Sequence, residues 1–253
     1  MTICVDVLAT PGELEGEDLS GAFVVVVDVV RATTTLLAGL EAGARRAHAV
    51  ESVEDALDLR RSIGEDDVVL CGERGGRRIE GFDLGNSPLE FDPESVAGKI
   101  LVCTTTNGTR TLSRCEGADG LWLGCFRNRA ALVERFAKAL RGGLGGGPSS
   151  RLLIACAGKE GRLGLDDHLC AGLIVEGLAA AVPEARLSDG ARSARAAAKE
   201  IGMPSAAFLA TTAAGEALVE IGLKADLEYC AELDVSRSVP RLEAGGFSLS
   251  ERT

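Results

Sequence analysis

Three features of the sequence predict an α/β protein, a three-layer α/β/α arrangement around a mainly parallel sheet. Apolar runs of strand length alternate with helical patterns along the chain, as in sheets covered on both faces by crossover helices. Hydrophobic residues make up 46% of 253, enough to fill such a core. Aromatics are only 4%, against 32 glycines, and small residues suit close helix–sheet packing better than a sandwich built on aromatic pairs.

The elements follow in order. FVVVVDVV, 23–30, is the clearest strand, β-branched and uninterrupted. TTTLLAGLEAG, 33–43, is helical with a glycine stop, and RAHAV, 46–50, is a short strand. SVEDALDLRRSI, 52–63, is an amphipathic helix with Ser52 as N-cap and Asp55 placed to answer it. DVVLCGE (67–73), KILVCT (99–104), GLWLGC (120–125) and RLLIACAG (151–158) are further strands. NRAALVERFAKALR (128–141) and LDDHLCAGLIVEGLAAAV (165–182) are helices. Beyond residue 183 the pattern is helical, at SDGARSARAAAKEI (188–201), SAAFLATTAAGEALVEIG (205–222) and ADLEYCAEL (225–233), with a short final strand at SVPRLEA, 238–244. The stretch RGGLGGGPSS, 141–150, lacks periodicity and reads as a flexible loop. It either separates two lobes, 1–145 and 151–253, or lies on the surface of a single domain.

Composition narrows the function. The net charge is −11 and the pI about 4.8, which argues against nucleic-acid binding. An acidic protein that handles an anion must gather its cations locally or use a metal. The eight cysteines form no C-x-x-C pair, so no zinc knuckle or redox motif is expected. They read as small buried hydrophobes in a reducing, cytoplasmic setting. The start of the chain has no signal-peptide pattern, and no apolar run reaches the ~18 residues of a membrane span.

Ligands of open α/β sheets bind outside the carboxyl ends of the strands, and four strand ends here are polar. The first is DVVRATTT. Asp28 in an apolar run needs a partner, either Arg31 or a metal, unless it sits exposed at the strand tip. Thr33, Thr34 and Thr35 stand where a helix begins, a natural anion site. The second, GERGGRRIEGFDLGNSP, holds Glu73, Arg74, Gly75, Gly76, Asp83, Asn86 and Ser87. It is either a solvated charge run or a long ordered loop of the functional kind. The third, TTTNGT, brings Thr104, Thr105, Thr106, Asn107 and Gly108, a hydroxyl-rich turn into a helix. The fourth has Lys159 and Glu160 in its turn, and Asp166, Asp167 and His168 opening a helix. Asp166 reads as a cap through the helix dipole, whereas Asp167 and Glu160 are candidates to complete a metal site. Walker A, G-x-G-x-x-G and G-x-S-x-G motifs are all absent.

Taken in order, DVVRATTT, GERGGRRIEGFDLGNSP, CTTTNGTR, CAGKEGRLGLDDHLCAG, LSDGARSA and EYCAELD resemble the 2-phosphosulfolactate phosphatase family, from about residue 20 to 240. The resemblance implies an α/β/α fold and Mg²⁺-dependent hydrolysis of phosphosulfolactate to sulfolactate and phosphate, a step of coenzyme M biosynthesis. The family also occurs where coenzyme M is not made, so a related phosphorylated hydroxy acid is an alternative substrate. On this resemblance Asp28, Glu73, Glu160 and Asp167 are the candidate metal ligands, with Asp83 behind them, and Asp28, Arg31, Glu73 and Arg74 the catalytic set. Arg31, Arg74 and Lys159 would neutralise the phosphate or a second anionic group, and the threonines with Asn107 would donate hydrogen bonds. Without a D-x-D-x-T motif, attack by water is favoured over attack by Asp28. Lys159 and His168 depart from the family pattern near the presumed pocket, and bear on the substrate rather than the fold. A non-catalytic binder of a small anionic metabolite is the competing reading. Acidic, alanine-rich terminal helices offer a homodimer surface.

Overall fold

The valine run that follows Gly21 sets the architecture. In a computed structural model that describes residues 2–142 and 149–249, strand β2 (Ala22–Val27) sits inside the sheet and sends alternate side chains to opposite faces. Val25 and Val27 join one core cluster, Val24 and Val26 the other. That two-residue alternation with both faces apolar is what makes three layers.

The described residues form eleven strands in one sheet. Besides β2 these are β1 (Thr2–Leu8), β3 (Arg46–Ala49), β4 (Val68–Arg74), β5 (Arg77–Arg78), β6 (Ile100–Thr104), β7 (Gly120–Gly124), β8 (Ser149–Cys156), β9 (Arg186–Leu187), β10 (Arg241–Glu243) and β11 (Gly246–Ser248). Their order is β5-β4-β6-β3-β11-β10-β7-β2-β8-β1-β9. Two parallel blocks, β4-β6-β3 and β7-β2-β8-β1-β9, are joined by the antiparallel hairpin β10–β11. Strands from both sides of residue 145 share the sheet, because β8 lies between β2 and β1.

The helices are α1 (Ala32–Glu41), α2 (Val53–Ile63), α3 (Pro93–Val96), α4 (Gly108–Arg114), α5 (Arg129–Gly142), α6 (Leu165–Ala181), α7 (Asp189–Ile201), α8 (Ala206–Leu209), α9 (Ala213–Glu220) and α10 (Ala225–Cys230). Phe136 and Leu140 of α5 and Ile174 of α6 pack with Leu152 and Ile154 on one face. Leu36 and Leu40 of α1 and Leu112 of α4 pack with Leu153 and Ala155 on the other. Each fully buried side chain of this size contributes about 1.5–3 kcal/mol. Ser52 caps α2 by accepting the Asp55 N–H at 3.0 Å, and Asp55 answers by accepting the Ser52 N–H at 3.2 Å.

The structure corrects the expected elements in four places. Strand β2 stops at Val27 rather than continuing to residue 30, because residues 28–31 turn into α1. The first strand, β1, was not expected: Asp6 interrupts its apolar run, but Asp6 Oδ1 accepts the Val7 N–H at 2.8 Å and the Ser188 hydroxyl. The expected last strand shrinks to β10 and returns through Gly245 as β11. The helical stretch expected over 205–222 breaks into α8 and α9, with Thr212 capping α9 by accepting the Gly215 N–H at 3.1 Å. Of the glycine-rich stretch, residues 143–148 lie outside the described residues.

Gly72 shows how tightly the two strands before the site are joined. It is paired with Thr104 across β4 and β6 at φ +147°, and a Cβ there would strike the Thr104 carbonyl; only glycine fits. All eight cysteines are free, seven of them buried. No helix among the described residues is long and apolar enough to cross a membrane.

Candidate active site

The residues that follow β2, β4, β6 and β8 line one cavity of about 280 Å³, walled on another side by Ala214, Ala217 and Leu218 of α9. All four polar strand ends therefore meet.

Asp28 lines the cavity and is only 7% exposed. Its Oδ1 accepts the Ala32 N–H at 3.2 Å. The anion at the start of α1 is therefore the protein's own carboxylate, placed where the helix dipole favours it. Its Oδ2 accepts no hydrogen bond among the described residues. Burial pushes the Asp28 carboxyl up to about 7, aided by the charges of Asp166 and Glu73 and opposed by the Ala32 N–H and Arg31. Asp166 is pushed up to about 6, again by burial, opposed by the Asp166 and Asp167 main-chain N–H groups and then by Lys159. Asp167 is raised as well, by burial and then by Asp166 and Asp28. Burial raises all three carboxylates, and the charge of Asp166 adds to the rise at both Asp28 and Asp167.

Two expected metal ligands have another task. Asp167 Oδ1 accepts the Val29 N–H at 2.7 Å and its Oδ2 accepts the Gly158 N–H at 2.9 Å, clamping the ends of β2 and β8 together. Glu73 accepts the Gly76 N–H at 2.7 Å and the Thr106 N–H at 2.8 Å, clamping the tips that follow β4 and β6. Glu160 lines the cavity but is exposed, and holds a left-handed backbone at φ 53°. Asp83 is structural: its Oδ2 accepts the Leu70 N–H at 2.8 Å. Asp166 is not the N-cap of α6, which is Gly164, but stands in its first turn, where the dipole favours an acid, and lines the cavity from there. It is the one cavity carboxylate not among the expected metal ligands, and its place as the first residue of the DDH run is the signal the sequence carries for it.

The hydroxyl-rich ends also divide. Thr33, Thr34 and Thr35 are fully buried and spend their hydroxyls on main-chain carbonyls: Gly124 and Asp28 for Thr33, Val29 for Thr34, Asn86 for Thr35. None lines the cavity. Thr104 donates to the Glu51 carbonyl at 3.1 Å, and Arg74 bonds Thr104 Oγ1 at 3.0 Å and the Glu73 carbonyl at 2.8 Å, also outside the cavity. Ser87 donates to Asp226. What does face the cavity is Thr105, Thr106, Asn107, Gly75, Gly76, Asn86, Arg31 and Lys159. Thr105 Oγ1 accepts the Thr109 N–H at 3.2 Å, so it serves the turn itself. Asn86 Oδ1 is buried with no partner among the described residues.

Gly108 stays behind Asp28. A Cβ there would come within 2.5 Å of both Asp28 Oδ2 and the Ala32 methyl. Gly108→Ala is expected to keep the fold but displace the Asp28 carboxylate, lowering turnover roughly 10²-fold; kinetics beside a melting curve checks this. Glu73→Ala frees two N–H groups on adjacent tips, and is expected to cost about 2–4 kcal/mol of stability, read by chemical denaturation.

The sequence matches a family model described as 2-phosphosulpholactate phosphatase over residues 8–245. The chain belongs to this phosphatase family. Relatives named "Probable 2-phosphosulfolactate phosphatase" include one from Deinococcus radiodurans, 42% identical over 221 residues and 87% of each chain. Another from Thermus thermophilus is 41% identical over 96% of this chain and 94% of its own. A third, from Clostridium acetobutylicum, is 32% identical over 95% of this chain and 98% of its own. The family match thus takes in all four strand ends that build the cavity.

Magnesium is the ion the family resemblance implies. Among the described residues no three His, Cys, Asp or Glu side chains are gathered as a ready metal cage. Magnesium does not need one; it is commonly held by one or two carboxylates together with water and substrate oxygens. Asp28 Oδ2 is a hard oxygen donor free of hydrogen bonds among the described residues, and the Asp166 carboxylate, met only by main-chain N–H groups of its own helix turn, lines the same cavity. The donor set fits.

Proposed function

We propose that this chain hydrolyses 2-phosphosulfolactate, or a closely related phosphorylated hydroxy acid, to the hydroxy acid and phosphate, and that it does so with Mg²⁺. The observation that supports this reading is the meeting of buried carboxylates and two cations, Arg31 and Lys159, in one cavity of about 280 Å³, within a chain of this family.

Phosphoryl transfer asks a protein mainly to position charge. Arg31 and Lys159 would bind and orient the anionic ester. The Thr106 hydroxyl and the Asn107 side chain would add neutral donors. The apolar wall of Ala214, Ala217 and Leu218 would exclude water from the carbon side of the substrate. Asp167 and Glu73 would hold the four tips in register. Asp28 and Asp166 would hold the magnesium ion, which when bound neutralises phosphoryl charge and makes water easier to ionise.

The test is phosphate release from a panel of phosphorylated hydroxy acids, with Mg²⁺ and with EDTA, and with or without an acceptor alcohol. Release that EDTA abolishes, independent of the alcohol, is expected. Ligand-induced thermal stabilisation without release across the panel would favour the non-catalytic binder. Release indifferent to EDTA would remove magnesium from the account.

A further inference from the structure

Five carboxylates line the cavity (Asp28, Glu73, Glu160, Asp166 and Asp167), yet Arg31, one of its two cations, pairs with none of them. Its Nη1 donates instead to Asp226 Oδ2 at 2.6 Å, an ion pair whose side chains are only 3% and 2% exposed. Asp226 lies on α10, outside the lining and 195 residues along the chain. The contact is fixed from both ends. The Ser87 hydroxyl donates to Asp226 Oδ1 at 2.7 Å, and Arg31 Nη2 donates to the Gly76 carbonyl at 2.8 Å.

A guanidinium is planar, and its donors form a rigid fork. Anchoring both terminal nitrogens fixes the plane. The N–H groups left over have no acceptor among the described residues, and the side chain borders the cavity. Without a rival anchor, Arg31 would swing onto the acidic cluster that includes Asp28. It would then neutralise the carboxylates and lose its free donors. Asp226 supplies that rival anchor.

We propose that Asp226 is a positioning residue: backed by Ser87, it holds Arg31 off the acidic cluster so that its free N–H groups meet an anionic oxygen group of the substrate. The proposal rests on the phosphatase reading above for the identity of the substrate, but not for its geometry.

The experiment is a double-mutant cycle in the full chain on Arg31→Gln and Asp226→Asn, with Asp226→Glu as the conservative variant and Ser87→Ala as a gentler probe that keeps both charges. Melting temperature, kcat and KM are measured for each. Asp226→Asn is expected to lower kcat/KM roughly 10–100-fold, as when outer partners of functional groups are removed, mostly through KM. Asp226→Glu should recover part of it. In the Arg31→Gln background, Asp226→Asn and Ser87→Ala should have no further effect beyond about twofold, since nothing remains to position. Should Asp226→Asn fail to fold, the Ser87→Ala pair decides alone. Equal losses with and without Arg31, following the melting temperature, would overturn the proposal.

Inorganic phosphate provides a readout independent of turnover. It is expected to raise the melting temperature of the wild type, and to do so less in Arg31→Gln and Asp226→Asn. If no ester is hydrolysed but this pattern holds, the phosphatase reading falls and the positioning role stands. A phosphate shift unchanged in both variants, or none in the wild type, overturns the positioning role.

Discussion

Asp28→Asn is expected to lower phosphate release by roughly 10³-fold or more while making the metal-free protein more stable. The carboxylate is the central charge of the cavity, and asparagine removes that charge while keeping the shape. The gain in stability has a definite sign. Burial raises Asp28 from 3.8 to about 7, so the folded state prefers the protonated acid. Below 3.8 both folded and unfolded chains are protonated, and the stabilising preference is fully present. As pH rises toward 7 the unfolded chain ionises first, and the native state loses that advantage. At neutral pH the buried group therefore costs on the order of a few kcal/mol, and Asp28→Asn should recover much of it, about 5–10 °C in Tm. In EDTA, wild-type stability should fall between pH 4 and 7 more steeply than that of Asp28→Asn. Parallel slopes from melting curves would show that Asp28 carries no such penalty.

Asp167→Ala is expected to move stability the other way. Asp167 also sits in the repelling cluster, but both of its oxygens are engaged by main-chain N–H groups, at 2.7 and 2.9 Å. Alanine relieves some like-charge repulsion and strands two buried donors. Each stranded group costs about 1–3 kcal/mol, so a net loss of roughly 2–4 kcal/mol is expected by denaturant titration. Activity should fall as well, because Val29 and Gly158 set the loops that carry Asp28 and Lys159. The opposite signs follow from what each substitution keeps: asparagine still accepts the Ala32 N–H, whereas alanine leaves the Val29 and Gly158 N–H groups with no acceptor. A rise in Tm for both would mean that charge, not the clamp, dominates at Asp167.

The four strand ends were legible in the sequence because an uninterrupted β-branched run such as FVVVVD can only be a doubly covered strand, and the polar residues after such strands collect at one edge. Asp28, Lys159 and the TTTNGT turn were found that way. The tasks of individual hydroxyls and carboxylates were not legible. Thr33–Thr35 and Thr105–Thr106 look alike in sequence, yet the first three serve main-chain carbonyls while the last two border the cavity. Glu73 and Asp167 have the residue type of metal ligands, but whether a carboxylate meets a metal or two amide groups depends on loop curvature, which no spacing rule contains. Asp226 and the α9 wall were invisible for another reason. The α9 wall lines the cavity and Asp226 acts from behind it through Arg31, both from a helical tail whose pattern reports only amphipathic helices, with partners far along the chain. Strand β1 was not legible because Asp6 breaks its apolar run while being satisfied by the Val7 N–H and the Ser188 hydroxyl.

The most direct test of the cavity as the active site of a phosphatase is phosphate release from 2-phosphosulfolactate by wild-type and Asp28→Asn proteins, side by side at the same Mg²⁺ concentration. Turnover by the wild type, with loss of nearly all of it in a folded and more thermostable Asp28→Asn, is the predicted result. Equal turnover by the two proteins would contradict it.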